Sequence, residues 1–468
     1  MMSESYEDFV ARKRLVAPAV GIAKVPTLSP LLFPFQRDLV TWALHRGRAA
    51  LFCDTGLGKG WMALEYARVV AEYTGKPFLL LAPLAVSKQF KREAALLGTS
   101  VTICNGPEDV RPGINVTNYQ KLHKFDVDVF GGVGLDESSI LKALDGKTRK
   151  LLVDKFAETL FKLCLTATPS PNDHTELGGH AEFLGIMSQS EMLATFFVHD
   201  GGATSDWRIK GHARRDFWRW VTSWGAIVKM PSDVGGDDSR YVLPALNYHE
   251  HVVPANHDDA KATGLLFAMP ATTLGEERAV RRGTLDSRVQ IAADIANSTK
   301  GQVIVWTGLN DESEACTGLI TKAIEVTGSQ DDDEKERNIE EFISGRAKAL
   351  VSKSSICGFG LNLQQVHTMI FCGVSHSFEQ FYQAVRRCWR FGQTHAVDVH
   401  IVTSELEGRV VDNLKEKQRK AEELANETRG HVAAFVRTAV GAMARDTIAY
   451  QAPSAVKWPD WLSSEALT

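Results

Sequence analysis

The sequence predicts an α/β protein built as two parallel-sheet lobes. Three observations carry this. Short apolar runs alternate with amphipathic helical stretches from about residue 31 to 168, the pattern of a parallel sheet covered on both faces. The alternation breaks over 171–285 and resumes at 303–307. A glycine-rich strand-to-helix turn sits in the first run, and an arginine-rich stretch sits near the end of the second.

The elements follow in order. Residues 1–30, with Pro18, Pro26 and Pro30, show little periodicity and read as an N-terminal arm. Helical patterns at 36–47, 59–73 and 86–97 precede strands at 49–54, 78–82 and 101–105. Further strands at 114–118, 131–137 and 162–168 complete a first lobe over 31–170. Residues 171–285 read as a largely helical, partly irregular insertion. Strands at 303–307, 349–352, 368–373 and 397–403 build a second lobe over 286–407. A polar amphipathic helix over 408–428 begins the last segment, which ends at 468. The charge run 331–337 reads as a solvated helix start.

Composition sets outer bounds. Apolar residues make up 44% of the chain, enough for large cores. No apolar run reaches bilayer length. The first twenty residues lack a basic start followed by an apolar stretch, so no export signal and a cytoplasmic location are expected. Cys53, Cys104, Cys164, Cys316, Cys357, Cys372 and Cys388 form no CxxC pair. That dispersion reads as reduced core thiols, not a disulfide frame or a zinc site. The net charge of −4 leaves a nucleic-acid partner open, because a basic groove can sit on an acidic body.

The segment 51–60, LFCDTGLGKG, is a strand, a glycine-rich turn and a helix start. Gly56 and Gly58 allow a sharp turn that aims amide hydrogens inward, and Lys59 supplies a mobile cation for β- and γ-phosphate oxygens. Thr55, Gly56, Leu57, Gly58, Lys59 and Gly60 are therefore candidate ATP contacts. A plain βα turn is the competing reading. The generic loop has an earlier glycine where this chain has Cys53, and a Ser or Thr hydroxyl for Mg²⁺ where it has Gly60. A water at that place, weaker metal binding or slow hydrolysis would each follow. Restoring the hydroxyl with Gly60→Thr is expected to speed hydrolysis or lower the Mg²⁺ requirement.

Asp136 and Glu137 end an apolar strand. Asp136 can orient Mg²⁺ through its water shell, and Glu137 can position or deprotonate an attacking water. Such pairs are common at strand ends; weight comes from the position, since carboxyl ends of strands in an open parallel sheet face the ligand crevice. In QAVRRCWRFGQ (383–393), Arg387 and Arg390 lie three apart and share one helix face. A guanidinium there can stabilise charge on a transferring γ-phosphate across a lobe interface. A basic surface helix is the competing reading.

Taken together and in order, these segments resemble the motifs of superfamily 2 ATPases, and most of all its SNF2-like branch as found in bacteriophages and prophages. Phe35-Gln36 resembles the adenine-reading Q element, DTGLGK motif I, residues 81–94 motif Ia, 115–122 motif Ib, DESS motif II and 165–177 motif III. In the second half 302–306 resembles motif IV, 354–363 motif V, and QAxxRxxRxGQ the SNF2 form of motif VI. The resemblance spans about 31–428. It implies two RecA-like lobes, ATP and Mg²⁺ as cofactors, Gln36 and Gly360 at the nucleotide, and Arg387 and Arg390 as arginine fingers. It also implies nucleic-acid contacts at Pro83, Thr117, Thr168 and Asn362, duplex DNA as partner, a brace helix over 408–428 and action as a monomer. A phage-encoded chain would work in the host cytoplasm.

Two basic stretches stay open. WRIKGHARRDFWRW (207–220) could stack on nucleic acid, but aromatics at helical spacing more often build core, and that reading is favoured. Residues 276–288 carry the same ambiguity. Three functions compete: a duplex-DNA translocase that remodels protein–DNA or branched DNA, a strand-separating DNA or RNA helicase, and a hydrolysis-poor ATP-gated clamp. Gly60 supports the last; Glu137, Arg387 and Arg390 argue against it.

Overall fold

The computed structural model describes residues 16–83, 86–142, 146–170, 173–199, 207–254, 282–357, 362–374 and 377–405, and positions 412, 416 and 419. Two parallel sheets form two RecA-like lobes.

The first sheet has seven strands in the order β3-β4-β2-β5-β6-β1-β9. They are β1 (Arg48–Cys53), β2 (Phe78–Ala82), β3 (Val101–Ile103), β4 (Ile114–Asn118), β5 (Gly132–Asp136), β6 (Phe161–Leu165) and β9 (Gly225–Val228). All pair in parallel. The inner strands are buried along almost their whole length, which their near-continuous apolar sequences require when helices cover both faces. Helices α1 (Pro34–Arg46), α2 (Lys59–Thr74) and α3 (Ser87–Leu96) alternate with the strands. Gly75 closes α2 in the left-handed region at φ 66°, where glycine carries no Cβ penalty.

The second sheet has six strands in the order β10-β15-β14-β11-β13-β12, again all parallel. These are β10 (Leu246–Val253), β11 (Val303–Thr307), β12 (Ala323–Val326), β13 (Ala349–Lys353), β14 (Thr368–Cys372) and β15 (Val397–Ser404).

The described residues of 171–285 contribute helices over Leu177–Phe183, Gln189–Phe196 and Arg214–Thr222, an antiparallel pair of β7 (Phe197–His199) and β8 (Trp207–Ile209), and also an edge strand to each sheet: β9 beside β1 and β10 beside β15. The helix Arg214–Thr222 turns Phe217, Trp218, Trp220 and Val221 into the first lobe's core and leaves Arg215 and Arg219 exposed. The aromatics are core, as their spacing suggests. In the second basic stretch, Arg288 is fully buried and paired with Glu312 at 2.7 Å, so it presents no charge to a ligand. Residues 276–281 lie outside the described residues. The run 331–337 begins a helix whose N-cap Asp331 accepts from Glu334 N. Of 408–428 only Asp412, Glu416 and Arg419 are described, each helical. All seven cysteines are buried thiols. Among the described residues no helix is long and apolar enough to cross a membrane.

Candidate ATP site between the lobes

Where β1 ends, the chain turns through Asp54–Gly58 and enters α2 at Lys59. Gly56 and Gly58 hold φ of 94° and 81°, values that an L side chain rarely adopts. Lys59 Nζ lies inside the turn, 2.9 Å from Cys53 O and 3.4 Å from Asp54 O. Gln36 tethers the loop: its Nε2 donates to Leu57 O at 2.9 Å, and its Oε1 accepts from Phe33 N at 2.9 Å. Both amide groups of Gln36 are therefore engaged with backbone.

One cavity is lined by Thr55, Gly56, Gly58, Lys59, Gly60, Asp136, Glu137, Arg387 and Arg390. The structure thus gathers most of the predicted nucleotide residues. Asp136 ends β5, and its carbonyl accepts from Tyr119 Oη at 2.7 Å. Burial raises its carboxyl, and the negative charge of Glu137 adds to this. Glu137 sits at φ 53°, left-handed backbone for a non-glycine residue, a strain that commonly marks functional positions. Its Oε2 is buried without a hydrogen-bond partner, and its Oε1 lies 4.0 Å from Arg387 Nη2. Arg387 is braced by Gln383, donating to Gln383 O at 3.1 Å and Oε1 at 2.7 Å. Burial lowers both arginines, Arg390 to about 10. Arg390 Nε is buried without a hydrogen-bond partner.

These groups fit a magnesium-bound triphosphate. A glycine-containing turn with a lysine, two carboxylates at a strand end and two cations from the facing lobe are among the parts that phosphoryl transfer uses. Among the described residues no three His, Cys, Asp or Glu converge closely enough to hold a metal alone. Mg²⁺ needs none, since phosphates and waters supply most of its ligands.

Other predicted residues fall elsewhere. Thr117 is buried in β4 with its hydroxyl donated to Cys104 O at 2.8 Å, so its side chain is not presented to a bound strand. Thr168 follows β6; its N–H is held by Thr166 Oγ1 at 3.1 Å, and its own hydroxyl is without a partner. Pro83 follows β2 and is half-buried, and Asn362 is exposed on the second lobe. None of these four lines the cavity. Gly360 lies outside the described residues.

Two features escaped the sequence reading. One is a pairing across the lobes. Arg386 Nη2 donates to Asp54 Oδ2, while Tyr382 Oη donates to Asp54 Oδ1 at 3.1 Å. Phe391 continues this contact, 3.0 Å from where a β-carbon on Gly56 would stand and 4.7 Å from the Tyr241 ring. The other is Glu93 of α3, which lines the same cavity with Gln89, Phe90 and Val86. Its carboxylate occupies the space beside Gly60, where a β-carbon would lie 3.3 Å from Glu93 Cδ and closer to Oε2. A Gly60→Thr side chain would therefore have to displace the end of the Glu93 side chain. The QAVRR run and the motif Ia segment contain both groups, but only the three-dimensional pairing distinguishes them from surface charges.

Two parallel-sheet lobes, a glycine turn with a lysine in one and facing arginines from the other form an arrangement suited to binding a nucleotide between lobes. Residues 287–392 match the family described as "Helicase conserved C-terminal domain". A SWI/SNF-related matrix-associated actin-dependent regulator of chromatin subfamily A-like protein 1 homolog of Caenorhabditis elegans is 30% identical over 169 residues, 32% of this chain and 24% of that protein. The Xenopus tropicalis protein of that description is 30% identical over 174 residues, 34% of this chain and 18% of that protein. The chain thus spans a quarter or less of these relatives' length. "Putative protein p41" of Acyrthosiphon pisum secondary endosymbiont phage 1 is 23% identical over 84% of this chain and 97% of its own length. Residues 287–392 are thus similar to a helicase C-terminal domain, and the chain is similar over about a third of its length to SNF2-related proteins.

Proposed function

We propose that the chain is an ATP-driven translocase that moves along duplex DNA and remodels protein–DNA complexes or branched DNA. The observation that carries this is the approach of Arg387 to Glu137 across the lobes, with Arg390 in the same cavity. Such an arrangement is complete only when the lobes are closed, so hydrolysis and lobe movement are one cycle.

Within it, Lys59 and the glycine turn would hold the triphosphate, and Asp136 would hold the water shell of a Mg²⁺ that would supply neutralising charge to the phosphates. Glu137 orients the attacking water and takes its proton. Arg387 and Arg390 stabilise the equatorial oxygens. Pro83, Thr168 and Asn362 are assigned to the DNA backbone, where phosphate contacts give affinity without reading sequence.

The test is steady-state ATPase rate with no nucleic acid, single-stranded DNA, duplex DNA and RNA. Stimulation by duplex DNA above the others is expected. Equal stimulation by single strands and RNA would favour a strand-separating helicase. Absence of turnover under every condition, at raised Mg²⁺ too, would leave only the ATP-gated clamp.

A further inference from the structure

We infer that Glu93 takes over the task of the missing loop hydroxyl and holds the hydration shell of the Mg²⁺ bound with ATP. The inference rests on the ATPase reading above and concerns the same site.

Three observations converge. Gly60 stands where a hydroxyl is usual, and the space its side chain would fill holds the Glu93 carboxylate instead. Glu93 Oε1 accepts from Gln89 Nε2 at 2.7 Å, whereas Oε2 is buried with no hydrogen-bond partner. A carboxylate oxygen left so in a polar cavity carries a desolvation penalty that a cation or its waters would relieve. Glu93 also adds to the negative charge that Asp136 feels, and Asp136, Glu137, Glu93 and Lys59 line one cavity. A cation among these carboxylates would offset their repulsion.

Arg390 is the competing partner. It too feels the Glu93 charge, so Glu93 could act only by placing that arginine. The two readings separate on metal affinity. A carboxylate serving the ion's waters should influence Mn²⁺ binding, and one serving Arg390 should influence turnover alone.

The experiment is Mn²⁺ titration of the whole chain with a non-hydrolysable ATP analogue, adenylyl imidodiphosphate, read by the loss of the free-ion electron paramagnetic resonance signal. Glu93→Gln keeps the size of the side chain and should weaken Mn²⁺ about 10–100-fold, the range found when a supporting ligand is lost. Glu93→Ala should do the same. Adding Gly60→Thr to Glu93→Ala supplies a hydroxyl in cleared space and should restore affinity to within about threefold, since the hydroxyl is the family's usual ligand at this position. Gly60→Val, alike in shape without the hydroxyl, should not.

Unchanged Mn²⁺ affinity in Glu93→Gln, with or without slower turnover, overturns the inference and leaves the ATPase reading standing. Rescue by Val as good as by Thr also overturns it, because filled volume would then be the cause. A wild-type chain that binds no Mn²⁺ with the analogue sinks the ATPase reading, and this inference with it.

Discussion

Breaking the Asp54–Arg386 pair should open the lobes. Asp54 lies at the start of the phosphate loop, and Arg386 and Tyr382 reach it from the second lobe. Arg386 is 6% exposed and Asp54 22%. A fully buried pair costs about 3–5 kcal/mol to break by removing one partner. Residual solvent at Asp54 argues for the lower end, and a charged hydrogen bond carries about 1.5–3 kcal/mol. An effect of about 2–3 kcal/mol is a shift on the order of 100-fold in the closed-to-open ratio. Because the contact joins lobes rather than core elements, the loss should appear in closure and not in the unfolding of either lobe. All seven native cysteines are buried, so dyes on Leu96→Cys and Leu319→Cys, at 67% and 50% exposed positions, report the separation cleanly. Single-pair energy transfer should show Asp54→Asn and Arg386→Met each populating a wider state. The double variant should open much less than the product of the two, since neither then leaves a buried charge alone. Wild-type distributions in both single variants, or strictly additive effects, would refute the latch.

The other expectations follow from the same geometry. Arg390→Ala should abolish DNA-stimulated turnover while ATP-analogue affinity stays within a few-fold; retained turnover would remove Arg390 from the active site. Trp218→Ala should destabilise the first lobe by about 3–5 kcal/mol, because the ring is fully buried. Arg219→Ala, on the exposed face of the same helix, should leave the unfolding midpoint nearly unchanged and so mark the helix as core. Burial lowers His180 to about 4 from 6.5, with Ser138 Oγ 3.1 Å from its Nε2. Its folded pKa lies below the unfolded one, so stability is intact above pH 6.5 and falls as the pH drops toward 4. The full span is about 3 kcal/mol. Denaturant midpoints across pH 7 to 4 should show that slope in wild type and a shallower one in His180→Asn; equal slopes would place the acid sensitivity elsewhere.

Much of the fold was legible because parallel strands buried on both faces are nearly all apolar. FLLLA and VIVWT can hardly be read otherwise. Strands β9 and β10 were missed for the same reason reversed. GAIV is four residues beside a tryptophan-rich helix, and LNYHEHVV is an edge strand with an exposed, polar face. Each gains its order from a distant partner, β1 or β15, which no local pattern announces. The site divides likewise. Gly56, Gly58 and Lys59 follow one another in a backbone conformation that their residue types demand. Asp136 and Glu137 sit at a strand end. Glu93 and the Asp54–Arg386 pair depend on side chains meeting from separate elements, and the second also on lobes meeting.

The charges of this site are sorted by lobe, and the sorting explains how closure and chemistry are joined. The first lobe brings Asp54, Glu93, Asp136 and Glu137 to one side of the cleft, with Lys59 among them. The second brings Arg386, Arg387 and Arg390 from the turn and bend that follow the helix Phe378–Val385. Within each set like charges oppose one another: Glu137 and Glu93 raise Asp136, and Arg387 lowers Arg390. Across the cleft the interactions reverse sign, since Arg386 holds the Asp54 carboxyl low against its burial and Arg387 favours ionised Asp136. Each lobe alone therefore carries electrostatic strain that the other relieves. A phosphate chain with its cation adds both signs in the same place, and its hydrolysis removes part of that balance. Under the proposed ATPase reading, the groups assigned to the chemistry are among those whose mutual attraction draws the lobes together.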